Sequence, residues 1–314
     1  MAHDHSHHDH GHHGHAHGAP GAGQHDFAFA LGIVLNSVFV AFELGFGFAA
    51  DSTALVADAI HNLGDVAGLA LAWFAAWLAR RAPGPRFTYG LRSSTILAAL
   101  ANAVMLLLAC GGLAVEAIQK LLSPGVVAGQ TVMWVALTGV VVNAVTAMFF
   151  FRDRAHDLNL RAAYLHMAAD ALISLGVAVC GYAMLRTGWF WLDPAVSFAI
   201  MSVVLISTWQ LLRDSALLSL HAVPAHLDSA PIAAFLTGQP GVSGVHDLHV
   251  WALSTTDVAL TAHLVMPQGH PGDAWLDALA HALTAAYGIR HATFQVETGV
   301  QGHACTLVEG GGQH

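Results

Sequence analysis

Long apolar runs constrain this chain more than any other feature of its sequence. A helix of about 20 apolar residues crosses roughly 30 Å of hydrocarbon, and the sequence contains six such runs. They lie at about 27–49, 54–79, 94–118, 129–151, 162–185 and 189–212. Hydrophobic residues make up 55% of the chain, charged residues 10%, and the mean hydropathy is +0.57, unlike an ordinary soluble domain. The sequence therefore predicts an α-helical membrane protein with six transmembrane helices.

The composition changes after the last apolar run. Residues 27–213 form the predicted transmembrane domain, whereas 214–300 are more polar and punctuated by proline and glycine. This second region has the pattern helix, strand, strand, helix, strand, which predicts a small α+β domain of αββαβ order. That order resembles a metallochaperone-like fold. Residues 301–314 are expected to form a flexible tail.

Positive charges predict the orientation in the membrane. An even number of spans puts both termini on one side, and most of the arginines fall on that side. These are Arg80, Arg81, Arg86, Arg92, Arg152, Arg154, Arg161 and Arg213. Only Lys120 and Arg186 lie near the opposite side. Because cytoplasmic loops carry the excess of lysine and arginine, both termini and the soluble domain are predicted to be cytoplasmic.

Two apolar spans contain the same histidine and aspartate spacing. The second span reads "ADAIHNLGD", with His61 and Asp65, and the fifth reads "LHMAADALISLG", with His166 and Asp170. Residues four apart lie on one face of a helix, about one turn apart. A single polar residue in a span is readily explained by a hydrogen bond between helices. Two matched pairs instead supply four ligands and indicate a metal site.

The chemistry of these four side chains narrows the choice of ion. Two imidazoles and two carboxylates can close the tetrahedral shell that Zn²⁺ favours, and the two carboxylates neutralise its charge. Without metal, facing carboxylates repel each other and favour binding protons, so metal and protons should compete. The absence of cysteine and methionine at these four positions argues against Cu(I), and the imidazoles argue against Mg²⁺ and Ca²⁺. Zn²⁺, Co²⁺, Cd²⁺ and Ni²⁺ remain open.

Two other carboxyl groups lie within predicted spans. Asp58 shares a face approximately with His61. It has two interpretations, an acceptor that holds an imidazole or a helix-capping or structural group. Glu43 stands alone at a helical position, and we expect it to form a hydrogen bond between helices.

The N-terminal tail is rich in histidine. The first 25 residues contain ten histidines interleaved with aspartate and glycine. Such a sequence cannot form a packed core, so residues 1–26 are predicted to be a disordered tail that collects metal near the cytoplasmic entrance. A purification tag is the alternative, but tags are normally uninterrupted histidine runs, which favours a native tail.

Five stretches of the sequence carry a resemblance to a known family. They are "DSTALVADAIHNLGDVAGLALAW", "FTYGLRSSTILAALANA", "RAAYLHMAADALISLGVAV", "WLDPAVSFAI", and "VHDLHVWAL" followed by "HATFQVE". These stretches are similar to the cation diffusion facilitators, the zinc, cadmium and cobalt efflux family, over about 27–300. The resemblance implies that the second and fifth spans carry the transported ion. It also implies proton-coupled export of divalent metal by alternating access, from a homodimer, in a bacterial inner membrane.

The chain departs from the family pattern in three places. Arg92 is followed by Ser93, Ser94 and Thr95, where family members usually carry a glutamate, so an interaction at the inner mouth is expected to be missing. The loop "RRAPGPRFTYGLRSS" has neither histidine nor aspartate, so no metal site is predicted there. In the last strand, Arg290 and His291 stand where the family often has two adjacent histidines.

The strands of the soluble domain contain a further group of histidines. With the family's cytoplasmic metal site in view, His246, His263 and His291 are expected to form a regulatory site that senses cytosolic metal and tightens the dimer. Strict strand alternation puts His246 and His249 on opposite faces. Zn²⁺ is then both the transported substrate and a regulatory ligand.

Competing functions are weighed against this pattern. A metalloenzyme needs an open coordination position, but no HExxH motif occurs and four protein ligands leave no room for an activated water. A passive channel needs several weak sites in line, and a membrane-anchored metal sensor does not need two buried pairs. The favoured function is efflux of divalent metal, most of all Zn²⁺, in exchange for protons. No organic cofactor and no nucleic-acid partner are predicted.

Overall fold

Six long helices form the first part of the computed structural model, which describes residues 22–151 and 158–299. The helices are α1 (Ala22–Ala49), α2 (Thr53–Ala79), α3 (Ser94–Leu122), α4 (Gly129–Phe151), α5 (Leu158–Thr187) and α6 (Leu192–Ser219). Each is long and apolar enough to cross a membrane. The prediction of six transmembrane helices is confirmed, although α6 continues to Ser219, beyond the predicted end at about 212.

The two predicted tails fall largely outside the described residues. The histidine-rich tail was expected over 1–26, and helix α1 already begins at Ala22. Residues 1–21 and the predicted tail 301–314 are not among those that the structure describes.

Large apolar side chains cover the outside of the helix bundle. Trp73, Leu108, Leu172 and Ile206 each have about two thirds or more of their surface exposed. In water such a surface would be unfavourable, but in a bilayer it faces hydrocarbon. The exposure of these side chains is the packing evidence that the bundle is built for lipid.

Two glycines allow α3 to pack closely against α2. A Cβ atom on Gly64 would clash with the Leu106 side chain, and one on Gly68 would lie 2.9 Å from Asn102 Nδ2. Small residues at this spacing let helix backbones approach each other in a membrane. They flank Asp65, so the close approach fixes the helix face that carries it.

The start of α2 is fastened to the start of α6 by Asp193. Its carboxylate accepts hydrogen bonds from Ser52 Oγ at 2.5 Å, Thr53 N at 2.6 Å and Thr53 Oγ1 at 2.7 Å, and it is fully buried. Ser52 is the N-cap residue of α2 and accepts from Leu55 N. A carboxylate at a helix N-terminus satisfies unpaired N–H groups and complements the helix dipole. This end of α2 is therefore held firmly.

The second part of the structure is a small α+β domain. Its elements are α7 (Ser229–Thr237), β1 (Gly244–Ala252), β2 (Val258–Val265), α8 (Asp273–Tyr287) and β3 (Ile289–Glu297). The sheet order is β1-β2-β3, with β1 antiparallel and β3 parallel to β2. Ile232, Leu236, Leu260, Leu264 and Leu283 are buried in its core. The predicted αββαβ order is confirmed.

Strand β1 contains a β-bulge that changes the direction of its side chains. His246 pairs with His263, whereas His249 pairs with Thr261, so three steps on β1 oppose two steps on β2. Asp247, within the bulge, has φ of 51°, a left-handed conformation that aspartate tolerates better than most residues. Because His263 and Thr261 share a face, His246 and His249 do as well. The prediction that they lie on opposite faces is wrong, since it assumed uninterrupted alternation.

The loop after α2 contacts the turn between β1 and β2. Arg92 Nη1 lies 2.9 Å from Asp257 Oδ2, and Arg290 Nη1 lies 3.2 Å from Asp257 Oδ1. Ser93 Oγ donates to the Leu253 carbonyl, and the Thr255 amide donates to Thr95 Oγ1. Arg92 thus has a carboxylate partner in the soluble domain instead of a glutamate in its own loop.

Candidate metal centres

The two histidine and aspartate pairs face each other across α2 and α5. His166 Nε2 lies 3.3 Å from Asp65 Oδ2 and 3.7 Å from Asp170 Oδ2, and His61 Nε2 lies 3.6 Å from Asp170 Oδ1. Ligand atoms of Asp65, His166 and Asp170 all lie within 4.8 Å of one another. The His61 and His166 rings have their centroids 6.5 Å apart. All four residues singled out in the sequence are brought together as two nitrogens and two carboxylates.

The carboxylates of this membrane cluster have unused hydrogen-bonding capacity. Asp65 Oδ2 and Asp170 Oδ2 are buried atoms without a hydrogen-bond partner among the residues that the structure describes. His166 approaches both at ion-pair distance without hydrogen-bond geometry. Buried carboxylate oxygens without donors are unfavourable. Binding a divalent cation would remove this penalty, so the donor set fits a metal such as Zn²⁺.

A cavity of about 470 Å³ reaches the membrane cluster from one side. It is lined by Asp65 and His166 together with Asn36, Asn102 and Thr146. These residues lie toward the end of the bundle where α1 and α5 begin and α2 ends. On the other side, the first residues of α2 from Thr53 to Ala59 are all buried. The cluster is therefore open toward one face of the bundle and closed toward the other.

Asp58 lies beside the cluster and is fully buried. Ser174 Oγ donates to Asp58 Oδ2 at 2.9 Å, and Asn62 Nδ2 donates to its carbonyl at 3.1 Å and to Oδ1 at 3.4 Å. These described hydrogen bonds come from α2 and α5 rather than from the His61 imidazole. Of the two interpretations of Asp58, the contacts favour the structural one.

A second cluster lies on the sheet of the soluble domain. His246 Nε2 lies 3.0 Å from Glu297 Oε2, and His263 Nδ1 lies 2.9 Å from Glu297 Oε1. Partial desolvation acts to raise the pKa of Glu297, but the hydrogen bond and charge of His246, with smaller effects from Gln295 and His263, outweigh it and lower that pKa. The three side chains offer ligand atoms within 4.8 Å of one another. This group, called the cytoplasmic cluster after the location that the sequence predicts for its domain, therefore has the donor types and spacing of a metal site.

The sequence predictions for this cluster were incomplete. Glu297 was not singled out, although it ends β3 opposite Val265 and next to the histidine strands. A parallel pairing of the last strand with β2 is the signal that would have found it. His291 pairs with Ala259, four positions along the sheet from His263 and so about 13 Å away. Its ring instead packs edge-on against Tyr89, with centroids 5.4 Å apart.

The bulge adds two neighbours to the cytoplasmic cluster. Asp247 Oδ1 lies 3.0 Å from His249 Nε2, and Asp247 Oδ2 lies 3.3 Å from His263 Nε2. His263 is thereby held between two carboxylates, one at each ring nitrogen. Such contacts fix the orientation of an imidazole before any ligand binds.

Comparison with known proteins identifies relatives along the whole chain. The zinc transporter ZitB of Escherichia coli K12 is 34% identical over 317 residues, covering 100% of this chain and 98% of the relative. The metal cation efflux system protein CzcD of Cupriavidus metallidurans is 34% identical over 280 residues, or 88% of each chain. A cadmium, cobalt and zinc/H⁺-K⁺ antiporter of Bacillus velezensis is 30% identical over 313 residues, covering 98% and 96%.

Two domain families match consecutive parts of the sequence. The cation efflux transmembrane domain matches residues 29–218, and the cytoplasmic domain of cation efflux proteins matches residues 224–299. The relatives are metal transporters, so the prediction that the protein is not an enzyme is confirmed. An integral membrane protein with two facing metal-ligating pairs, followed by this α+β domain, is therefore a member of the cation efflux family of zinc and other divalent metal transporters.

Proposed function

We propose that this protein exports divalent metal, Zn²⁺ above all, from the cytoplasm in exchange for protons. The observation that carries the proposal is the membrane cluster of His61, Asp65, His166 and Asp170, four potential ligands from two helices, with distances of 3.3 and 3.6 Å between the two pairs. Its two carboxylates match the charge of one divalent ion, and its donor types suit Zn²⁺.

Proton exchange follows from the same residues. When the metal leaves, two carboxylates and two imidazoles remain close together in a medium of low polarity, where uncompensated negative charge is unfavourable. Protons then bind in place of the metal, and metal binding displaces them again. The name of the Bacillus velezensis relative includes H⁺ among the ions that it exchanges, which supports the same coupling here.

The cavity supports alternating access. It opens at the end of the bundle that the arginine distribution assigns to the cytoplasm, while the opposite end is closed by buried residues of α2. We assign this conformation to the inward-facing state that loads metal. Release requires α2 and α5 to rearrange so that the cluster opens on the other side. We place the protein in a bacterial inner membrane, as a homodimer with both termini in the cytoplasm.

The cytoplasmic cluster is proposed to regulate transport. His246 and His263, with Glu297 as the third ligand in place of His291, would bind cytosolic Zn²⁺ and tighten the dimer. The transmembrane domain (27–213) then transports and the domain at 214–300 senses, while the tail at 1–26 collects metal. Deleting that tail should change the dependence of the rate on zinc concentration and not the maximal rate.

The test is zinc flux in proteoliposomes with and without an imposed pH gradient. Wild-type flux should rise when protons can move against the metal, and Asp170→Ala should abolish it. Asp214→Ala, which removes an exposed carboxylate on α6, is the matched control and should transport normally. Flux that ignores the pH gradient would indicate a passive channel, and stoichiometric binding without flux would indicate a sensor.

A further inference from the structure

Glu43 is a buried carboxyl group that the transport site does not account for. It lies on α1 with none of its surface exposed. Neither of its oxygens has a hydrogen-bond donor among the residues that the structure describes. A carboxyl group buried in this way carries a large desolvation penalty if it is ionised. The sequence predicted that Glu43 forms a hydrogen bond between helices, and no described residue donates one to it.

Gly47, one turn along α1 from Glu43, packs against Val56 of α2, so Glu43 lies beside the next turn of α2, which carries the carboxyl group of Asp58. Asp58 is also fully buried, and it accepts hydrogen bonds from Ser174 and Asn62. Two ionised carboxylates are both acceptors, so they cannot hydrogen-bond to each other. With one proton between them the same contact becomes a strong hydrogen bond, as in other carboxyl pairs that share a site.

The surroundings of this carboxyl pair supply little positive charge. Apart from Glu43, the ionisable groups that act on Asp58 are His61 of its own helix and Asp170 of α5, both in the membrane cluster. Helix α4, which packs against α1, has no ionisable residue in its sequence. At the outer end of the bundle, Asp193 is bound to the start of α2 and Lys120 to Asp51. A shared proton is thus the simplest way to reduce the negative charge of the pair.

The pair lies one helical turn from the membrane cluster, on the side away from the cavity. Asp58 precedes His61 by three residues on α2, and Ser174 follows Asp170 by four on α5. Metal that arrives at the cluster brings two positive charges close to the pair, and that field favours loss of its proton. When the metal leaves, the field disappears and a proton returns.

We propose that the Glu43 and Asp58 carboxyls together hold one exchangeable proton, in addition to the protons that bind directly to the four metal ligands. Metal arrival releases this proton and leaves two carboxylates, whose negative charge the nearby divalent ion offsets; metal departure allows the pair to take up one proton again. The pair extends proton coupling to α1, which supplies no ligand to the membrane cluster. The inference rests on the proposed exchange of metal for protons.

The experiment counts protons moved per zinc ion in proteoliposomes, using a pH-sensitive dye and a zinc-sensitive dye together. Glu43→Gln keeps the shape of the side chain and removes its titration, and we expect one proton fewer per zinc than in the wild type. Glu116→Gln is the matched control because its carboxyl pairs with Lys120 at the outer end of α3. It should leave the count unchanged. An unchanged count in Glu43→Gln would overturn the proposal.

A second measurement covers variants that no longer transport. Purified protein in detergent and weak buffer is titrated with Zn²⁺, and the protons released per bound zinc are counted. Glu43→Gln and Asp58→Asn should each release one fewer than the wild type, and equal release would overturn the proposal. A wild type that moves zinc without protons would instead refute the proposed antiport, so the two failures are distinguishable.

Discussion

The two histidine and carboxylate clusters of this protein differ in how completely their carboxylate oxygens are hydrogen-bonded. In the cytoplasmic cluster, both oxygens of Glu297 have hydrogen-bond partners, His246 Nε2 at 3.0 Å and Gln295 Nε2 at 2.9 Å, and the cluster residues lie on one sheet. In the membrane cluster the closest pair is 3.3 Å apart, and carboxylate oxygens of Asp65 and Asp170 lack hydrogen bonds among the described residues. The first cluster suits a stable receptor, whereas the second suits an ion that must bind and leave.

The two clusters also differ in the secondary structure that carries their ligands. The cytoplasmic ligands belong to adjacent, hydrogen-bonded strands, which hold their separation fixed. The membrane ligands belong to two separate helices, α2 and α5, whose relative movement changes the distances between the two pairs. A site whose ligands lie on two helices can lose its metal when those helices move.

The largest expected difference between the clusters is in transport. Asp170→Asn should reduce zinc affinity at the membrane cluster by more than about 100-fold, because loss of a ligand exceeds the 10- to 100-fold effect of losing an outer partner. Zinc flux should fall to background. Glu297→Gln makes the same chemical change in the cytoplasmic cluster and should keep its maximal flux. Normal flux in Asp170→Asn would contradict the ligand assignment.

A smaller effect is expected when the cytoplasmic cluster is broken. Glu297→Gln should raise the cytosolic zinc concentration needed for half-maximal flux by about 10-fold or more, because the cluster loses a ligand. His291→Gln is the control, because that ring packs against Tyr89 away from the cluster. Flux measured over a range of zinc concentrations separates the two variants. Equal shifts in both would place His291 in the site after all.

The lowered pKa of Glu297 gives a pH test of the metal-free cytoplasmic cluster. A carboxyl whose pKa is lower in the folded state stabilises the fold above its ordinary pKa, and this stabilisation is lost as the pH falls through the lowered pKa. The wild type should therefore unfold at a higher temperature than Glu297→Gln near neutral pH. The difference should shrink below the ordinary carboxyl range. Scanning fluorimetry with a chelator present measures the two unfolding temperatures at each pH. A difference between them that does not change with pH would show that ionisation of Glu297 is not its cause.

The smallest effect is expected at the contact between the two parts of the molecule. Arg92 is exposed over 45% of its side chain, so its ion pair with Asp257 should contribute less than about 1 kcal/mol to stability. Arg92→Ala and Asp257→Ala should each leave the maximal flux nearly intact and weaken the response to cytosolic zinc. A double-mutant cycle on that response measures the coupling. If the effects of the two substitutions are additive, the ion pair between Arg92 and Asp257 does not couple the cytoplasmic cluster to the membrane cluster.

Much of the membrane domain could be predicted because lipid leaves few alternatives. A long apolar run must be a helix there, and helical spacing alone places His61 with Asp65 and His166 with Asp170. These two pairs meet only because α2 packs against α5. The repeated spacing suggested this contact, but local sequence patterns do not determine it. The partner of Glu43 could not be predicted, because its contact with Asp58 depends on the rotation of α1 against α2.

The soluble domain was harder to predict in detail. Its element order follows from the pattern of the sequence. The bulge at Asp247, however, interrupts the alternation of side chains along β1, so the strand faces could not be assigned from the sequence. Glu297 and Arg92 each have partners far away in the sequence, which only the pairing of β3 and the position of the β1–β2 turn bring near. Local patterns contain no information about such distant contacts.

The carboxylate of Asp193 also determines which movements are open to α2. Its bonds to Ser52 and Thr53 hold the first turn of that helix, whereas among the described residues the last turn has one side-chain hydrogen bond, from Ser94 Oγ to the Ala75 carbonyl. A rod held at one end swings about that end, and displacement grows with distance from the pivot. His61 and Asp65 lie two to three turns from Thr53, so a small tilt shifts them slightly and shifts the mouth of the cavity much more. The arrangement works as a lever, in which modest motion at the ligands accompanies wide opening at the entrance.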